Sequence, residues 1–274
     1  MTLISLLLVL AIERATHKTR HWQADFYFQK YLGLLEKKHL LTHDSPLVNL
    51  LAMVILPPLV IWLLLYQWHA PFISLVINSL ILMVCIGCPQ RREQYRGYLD
   101  AANRGDTEAA NIYAEQLGYP CQTGNSLGQC LAWINYRHYA APVIWFIAFG
   151  GAGALLYVLA RQFLHYLAQQ RHPLTDKWQQ VMTLIDWIPA RVSTLGLLVV
   201  GHFSKATPIW LGYLGDTEVS SRQLVTEVAR AAEYVEPGDI GCTDEPCTMV
   251  RLMKRNMMFI LVAVAVLTLG GMLR

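Results

Sequence analysis

The chain has 274 residues, of which 54% are hydrophobic and only 15% charged, and its mean hydropathy is +0.33. Soluble domains carry about a quarter charged residues, so this composition and its long apolar runs point to a membrane protein whose first partner is the lipid bilayer. The formal net charge of +3, with no Lys/Arg run, gives no basis for a nucleic-acid partner.

The opening stretch MTLISLLLVLAI lacks a basic leading region, and Glu13-Arg14 follows where a small-residue cleavage site would stand. It reads as a retained apolar helix over about residues 2–12. At 1.5 Å per residue it reaches about 18 Å of a roughly 30 Å hydrocarbon core, which makes it a half-membrane element. Next, His21 and Asp25 stand at i and i+4, a secondary candidate for ligand or proton handling, although such a pair is more often a surface hydrogen bond. Phe26, Tyr31, Leu32 and Leu35 mark one apolar stripe downstream of Trp22.

A first membrane span is expected over about 47–66, kinked by Pro57-Pro58, and a second over about 72–88. Arg14, Lys18, Arg20, Lys30, Lys37 and Lys38 precede the pair, and Arg91, Arg92, Arg96, Arg104 and Arg137 follow it. The connector Gln67–Pro71 has no cation. The positive-inside bias therefore makes the two spans a hairpin with an outer turn. It also assigns the helical segments at about 13–46, 89–139 and 204–255 to the cytoplasm. In the second of these, Asp106 is the expected N-cap of a helix from Thr107 to Leu117, ended by Gly118.

Two further apolar regions follow, at about 140–163 and 190–203. The first is interrupted by Gly150-Gly151-Ala152-Gly153, a flexible break, and the second is short. Both are preferred as half-membrane elements, either re-entrant or interfacial; the alternative has both crossing fully. Leu224, Val228, Ala231 and Val235 recur at helical spacing within Ser220–Val235. A last span is expected over about 256–272, between Arg255 and Arg274. With no strand run and no repeat, the fold class is all-α: one integrated polytopic membrane domain.

The six cysteines form three close pairs, Cys85/Cys88, Cys121/Cys130 and Cys242/Cys247. They are disulfide candidates in an oxidising compartment and thiols in a reducing one. Cys85 to Cys88 is a lone C-x-x-C at a helix end, better read as buried thiols than as a redox or zinc site. The nine histidines form no metal-ligand spacing, and no phosphate-loop or nucleophile motif names a cofactor or a catalytic residue.

Two junctions set charge against hydrocarbon. In LIDWIPARVSTLGLLVV, Asp186 is expected to cap a helix that starts at Trp187, with Pro189 in its first turn. Arg191 would then reach lipid phosphate or an acidic side chain. In WINYRHYAAPVIWF, Asn135, Arg137 and His138 precede the Ala141-Pro142 start of an apolar helix. Ionisable groups at bilayer depth are functional-site candidates. Asn135, Arg137, His138, Arg161, Asp186 and Arg191 therefore form a candidate ligand site at the inner leaflet.

The blocks LLLVLAIER, HWQADF, YLDAANRGDTEAA, LAWINYRHYAAPVIWF and LIDWIPARVSTLGLLVVGHFSKATPIW resemble, in this order, the AmpE family of bacterial inner-membrane proteins. The resemblance implies a multi-pass signalling modulator of inducible β-lactamase. Its partner would be a cell-wall signalling protein or an anionic small molecule. The family is in turn similar to the cobalamin-biosynthesis amide ligases (CobD/CbiB), through Ala141-Pro142, the glycine-rich turn and Pro189-Ala190-Arg191. Where those ligases carry acidic blocks, this chain has Trp133, Ile134, Arg137 and His138, then Arg161-Gln162-Phe163-Leu164, then Met182 and Thr183 with only Asp186 kept. ATP-dependent acyl activation needs carboxylates to hold Mg²⁺. The resemblance therefore implies the scaffold and an anion-binding cluster of Arg137, Arg161 and Arg191 rather than catalysis. The alternative is an ATP-dependent amide ligase.

Overall fold

The computed structural model describes residues 2–15, 22–37, 47–67, 71–119, 126–216, 219–236 and 242–271, and every regular element among them is a helix. His21 and Cys121 lie outside the described residues. The helices are α1 (Thr2–Ala15), α2 (Ala24–Lys37), α3 (Leu47–Gln67), α4 (Pro71–Cys85), α5 (Pro89–Asn103), α6 (Thr107–Gln116), α7 (Leu127–Asn135), α8 (Ala141–Gln169), α9 (Thr175–Val200), α10 (Phe203–Leu214), α11 (Ser221–Ala232) and α12 (Asp244–Leu269), with a π-helical turn, Tyr136–Ala140, between α7 and α8. By length and composition, α3, Leu127–Gln169, α9 and α12 can each cross a membrane. Phe72–Cys85 with Pro89–Asn103, bent by 43°, makes a fifth span if the pair is one. The chain is an all-α, multi-pass membrane protein.

The helices fall into two compact units. In the first (Met1–Gly87, Ala141–Trp187 and Val264–Arg274), α8 packs against α1, α2, α3 and α4. Its core holds Leu6, Val9, Leu50, Leu82, Phe146, Tyr157, Phe163, Leu167, Trp178 and Met182. Phe163 meets Phe28 edge-on at 5.1 Å and Trp178 at 6.3 Å. The indole of Trp178 donates to the Ala160 carbonyl at 3.0 Å.

Two backbone defects in this unit are repaired by side chains. α3 stays a single helix through Pro57 and Pro58. Proline has no N–H, so Pro57 leaves the Met53 carbonyl without its i+4 donor, and the Tyr31 hydroxyl supplies one at 2.9 Å. α8 is broken at Phe149 and Gly150, where Gly150 takes φ 65°, ψ −153°, a region open to glycine. The helix resumes at once, and Asn78 Oδ1 accepts from the freed Gly151 N–H at 2.8 Å.

The second unit comprises Cys88–Ala140 and Ile188–Ala263. α5 and α6 form a hairpin around Tyr98, Ala101, Ala110 and Ala114, joined by Leu127 and Leu131. Asp106 caps α6 by accepting from Ala109 N at 2.9 Å, and Gly118 follows its end at φ 96°, as the sequence led one to expect. Ser126 and Gln129 close a capping box at the start of α7. Along α9 and α12, Asn256 Nδ2 donates to Ser193 Oγ at 3.1 Å, and both residues are fully buried. Gly196, one turn on, has no room for a Cβ beside the Asn256 side chain and Phe259. Small and hydrogen-bonding residues are the usual means of helix contact in lipid.

The proline-containing junction differs from its sequence reading. Asp186 lies inside α9, which begins at Thr175 and runs through Pro189 to Val200. It is therefore not an N-cap, and the apolar element read at 190–203 is the second half of a 26-residue helix. The last helix likewise starts at Asp244, a dozen residues before the expected span. Cys85, Cys88, Cys242 and Cys247 are free thiols, whereas Cys130 is disulfide-bonded.

Candidate functional site

Arg161, Asp186 and Asp25 belong to the first unit. Asp186 is only 4% exposed, and the Tyr157 hydroxyl donates to its Oδ1 at 2.8 Å. Tyr157 is fully buried on α8, one helical turn before Arg161, which is itself 8% exposed. A carboxylate, a phenol and a guanidinium thus lie withdrawn from water within α8 and α9. Burying such charges is costly unless they are paired and hydrogen-bonded, and the Tyr157 bond is one such compensation. Asp25, exposed on α2, accepts from the Gln162 amide.

Asn135, Arg137, His138 and Arg191 belong to the second unit. The π-helical turn carries Arg137 and His138, and such insertions recur at functional sites. Arg137 Cζ stands 5.6 Å from the centroid of the Trp133 ring, a cation–π distance. That ring stacks on Tyr136 at 5.2 Å. Asn135 Oδ1 is shut off from solvent with no hydrogen-bond donor among the described residues. On the same turn, the Tyr139 hydroxyl accepts from Arg92 at 2.9 Å.

Arg191 holds something the sequence did not name. Its Nε donates to the Leu214 carbonyl at 3.0 Å, and its Nη2 to the carbonyls of Tyr213 at 3.3 Å and Asp216 at 3.0 Å. The first two are the last carbonyls of α10 and the third lies just past its end, where an arginine satisfies unpaired acceptors and the helix dipole together. Trp210 Nε1 donates to Thr194 Oγ1 at 3.0 Å one turn further along. The α9–α10 hairpin is therefore pinned at two levels.

Three polar features of this unit were absent from the sequence reading. Glu245, 5% exposed, accepts from Ser126 Oγ and from Gly128 N, the latter at 3.1 Å. Gln129 donates to Glu227 Oε1 at 3.3 Å. A surface cavity of about 270 Å³ is lined by Lys205, Ile209, Glu227, Arg230, Ala231 and Tyr234. Only Ser126 carried a sequence signal, the S-x-x-Q of a capping box; the other pairs join positions far apart in the chain.

A family model described as "Regulatory signalling modulator protein AmpE" matches residues 1–274. Protein AmpE of Shigella flexneri is similar at 31% identity over 291 residues, covering 100% of both chains. No solved structure matches. With a match across its whole length to both the family model and a curated member, the chain belongs to the AmpE family of regulatory signalling modulators.

Proposed function

We propose that this chain is a signalling modulator of the bacterial inner membrane that acts in β-lactamase induction under cell-wall stress. In this reading it responds to an anionic ligand held in its second unit by Asn135, Arg137 and His138. The observation that carries the reading is the π-helical turn: it sets a guanidinium and an imidazole directly after a buried amide oxygen, that of Asn135, which has no donor among the described residues, in a chain that belongs to a family of regulatory modulators. Arg161 and Asp186, buried in the first unit beside Tyr157, serve as a polar element whose hydrogen bonds set the packing of α8 on α9. Arg191 fixes α10 in place.

Induction of β-lactamase by a sub-inhibitory β-lactam is the direct test, in cells carrying the chain or its Arg137→Ala/His138→Ala variant. The expected result is an altered induction response with the variant present in the membrane at the normal level. A normal response at normal level would overturn the reading. Magnesium-dependent ATP consumption by the purified chain would replace it with an amide-ligase function.

A further inference from the structure

α10 and α11 pack together, and the start of one is locked to the end of the other. The His202 N–H, at the N-cap of α10, donates to the carbonyl of Ala232, the last residue of α11, at 2.7 Å. Gly201 permits that approach, because a Cβ there would meet the Ala232 side chain at 2.6 Å and its carbonyl at 2.7 Å. Ala206 on α10 and Val228, Ala229 and Ala232 on α11 are fully buried. The two helices therefore make fixed walls for the cavity of about 270 Å³ that they share, and a preformed space of this kind is what a small ligand needs. It holds about nine water volumes at roughly 30 Å³ each.

The lining follows from the helical repeat. Lys205 and Ile209 stand one turn apart on α10, while Glu227, Arg230, Ala231 and Tyr234 fall at i, i+3, i+4 and i+7 along α11 and just past its end. Lys205, Arg230 and Tyr234 are exposed, so the cavity is open to solutes. Two cations against a single acid leave its wall with one positive charge in excess. Glu227 Oε1 is already engaged, accepting from Gln129 Nε2 at 3.3 Å and standing 4.0 Å from Arg230 Nη1. Lys205 has no carboxylate within ion-pair distance among the described residues. A dianion such as phosphate would set its second charge against Glu227, whereas a carboxylate carries only the charge that the wall lacks. The guanidinium fork of Arg230 and the ammonium of Lys205 both suit carboxylate oxygens. Ile209, Ala231 and the ring of Tyr234 offer apolar surface beside them.

We propose that this cavity binds a small monocarboxylate with a compact apolar body, Lys205 and Arg230 holding the carboxylate and Ile209, Ala231 and Tyr234 covering the rest. The site shares no residue with the π-helical turn and goes beyond the reading given to it.

The test is fluorine NMR of para-fluorobenzoate titrated into the full chain in phosphatidylcholine nanodiscs, with empty nanodiscs as the blank. Expected is saturable binding that benzoate displaces, inorganic phosphate displaces more weakly and the neutral isostere benzamide does not displace. Lys205→Gln should weaken binding at least tenfold and Arg230→Gln several-fold; both side chains are exposed, so neither change costs the fold. Glu227→Gln should tighten binding, since the charge opposing the anion has gone while an amide oxygen still accepts from Gln129. Charges that serve only the fold would not give these opposite signs. Ile209→Trp should block binding by filling the space with every charge in place. The inference is overturned by the absence of saturable binding, by displacement with benzamide or phosphate as strong as with benzoate, by Lys205→Gln binding as the parent does, or by Glu227→Gln binding no tighter. An altered β-lactamase induction by the Arg137→Ala/His138→Ala variant would then still stand, so the two readings fail separately.

Discussion

Tyr31 donates its hydroxyl hydrogen to the carbonyl oxygen of Met53 across 2.9 Å, and Met53 is the residue four positions before Pro57. The bond closes a gap that the sequence of α3 opens in its own ladder. In hydrocarbon, where water is not available as a substitute, an unmet carbonyl costs several kcal/mol.

Tyr31→Phe removes only that donor. The expected loss is about 1–3 kcal/mol, read as a lower unfolding midpoint in detergent. The comparison also has a pH signature. Burial raises the Tyr31 pKa above 10.0, so its contribution is fully present below pH 10 and is lost as pH climbs through the raised value. The gap between parent and variant should hold through neutral pH and narrow in strong alkali. A gap that is already closed at pH 8 would mean that the bond carries no weight.

The Tyr157–Asp186 bond makes a different prediction. Tyr157→Phe should cost about 1–3 kcal/mol, because it strips a buried carboxylate of a donor. Asp186→Asn should cost less, since the amide oxygen still accepts from the phenol. The double variant should fall short of the sum, the sign of coupling in a double-mutant cycle. Simple additivity within about 0.5 kcal/mol would show that the pair does not act as one unit.

What could be read from the sequence was local. The Asp106 cap, the Gly118 stop, Leu32 and Leu35 on the buried face of α2, and Leu224 and Val228 on that of α11 each depend on residues within one or two turns, whereas Val235, expected on the same face, lies beyond the end of α11. The run through Pro189 was hidden for a physical reason. Proline normally ends a helix because it loses one backbone bond, but here Trp178 and Met182, buried one turn apart, continue the apolar face of α9 up to it. The partners of the charged residues were hidden as well. Tyr157 is 29 positions from Asp186, and Leu214 is 23 from Arg191. Residue type marked those side chains as needing a partner; only the packing supplied one.

Sidedness gives a prediction in which two rules oppose each other. The charge bias assigns the segment ahead of α8 to the cytoplasm, whereas the disulfide-bonded Cys130 requires an oxidising compartment. A disulfide is the more local evidence, because it reports on the start of α7 itself. The expected outcome is that Cys130, which is buried, resists maleimide labelling even in membranes denatured without reductant, and reacts only after reduction. Cys242 and Cys247, both free and half-buried, should label in the first step. If Cys130 labels without reductant, the cytoplasmic assignment from charge stands.

Arg191 separates a structural role from a ligand-binding one. Two of its N–H···O contacts end on the last carbonyls of α10, Tyr213 and Leu214, and a third on Asp216 just beyond it, and hydrogen bonds from a charged donor contribute about 1.5–3 kcal/mol each before coupling. Arg191→Ala should therefore cost roughly 2–4 kcal/mol, less than the sum because the contacts share one side chain. Arg191→Lys should recover only a fraction, since an ammonium cannot reproduce the planar fork. Hydrogen exchange locates the loss: amides in α10 should exchange faster in both variants, while those of α5 and α6 keep the parent's protection. Unchanged α10 exchange in both variants would show that something other than Arg191 holds the end of α10.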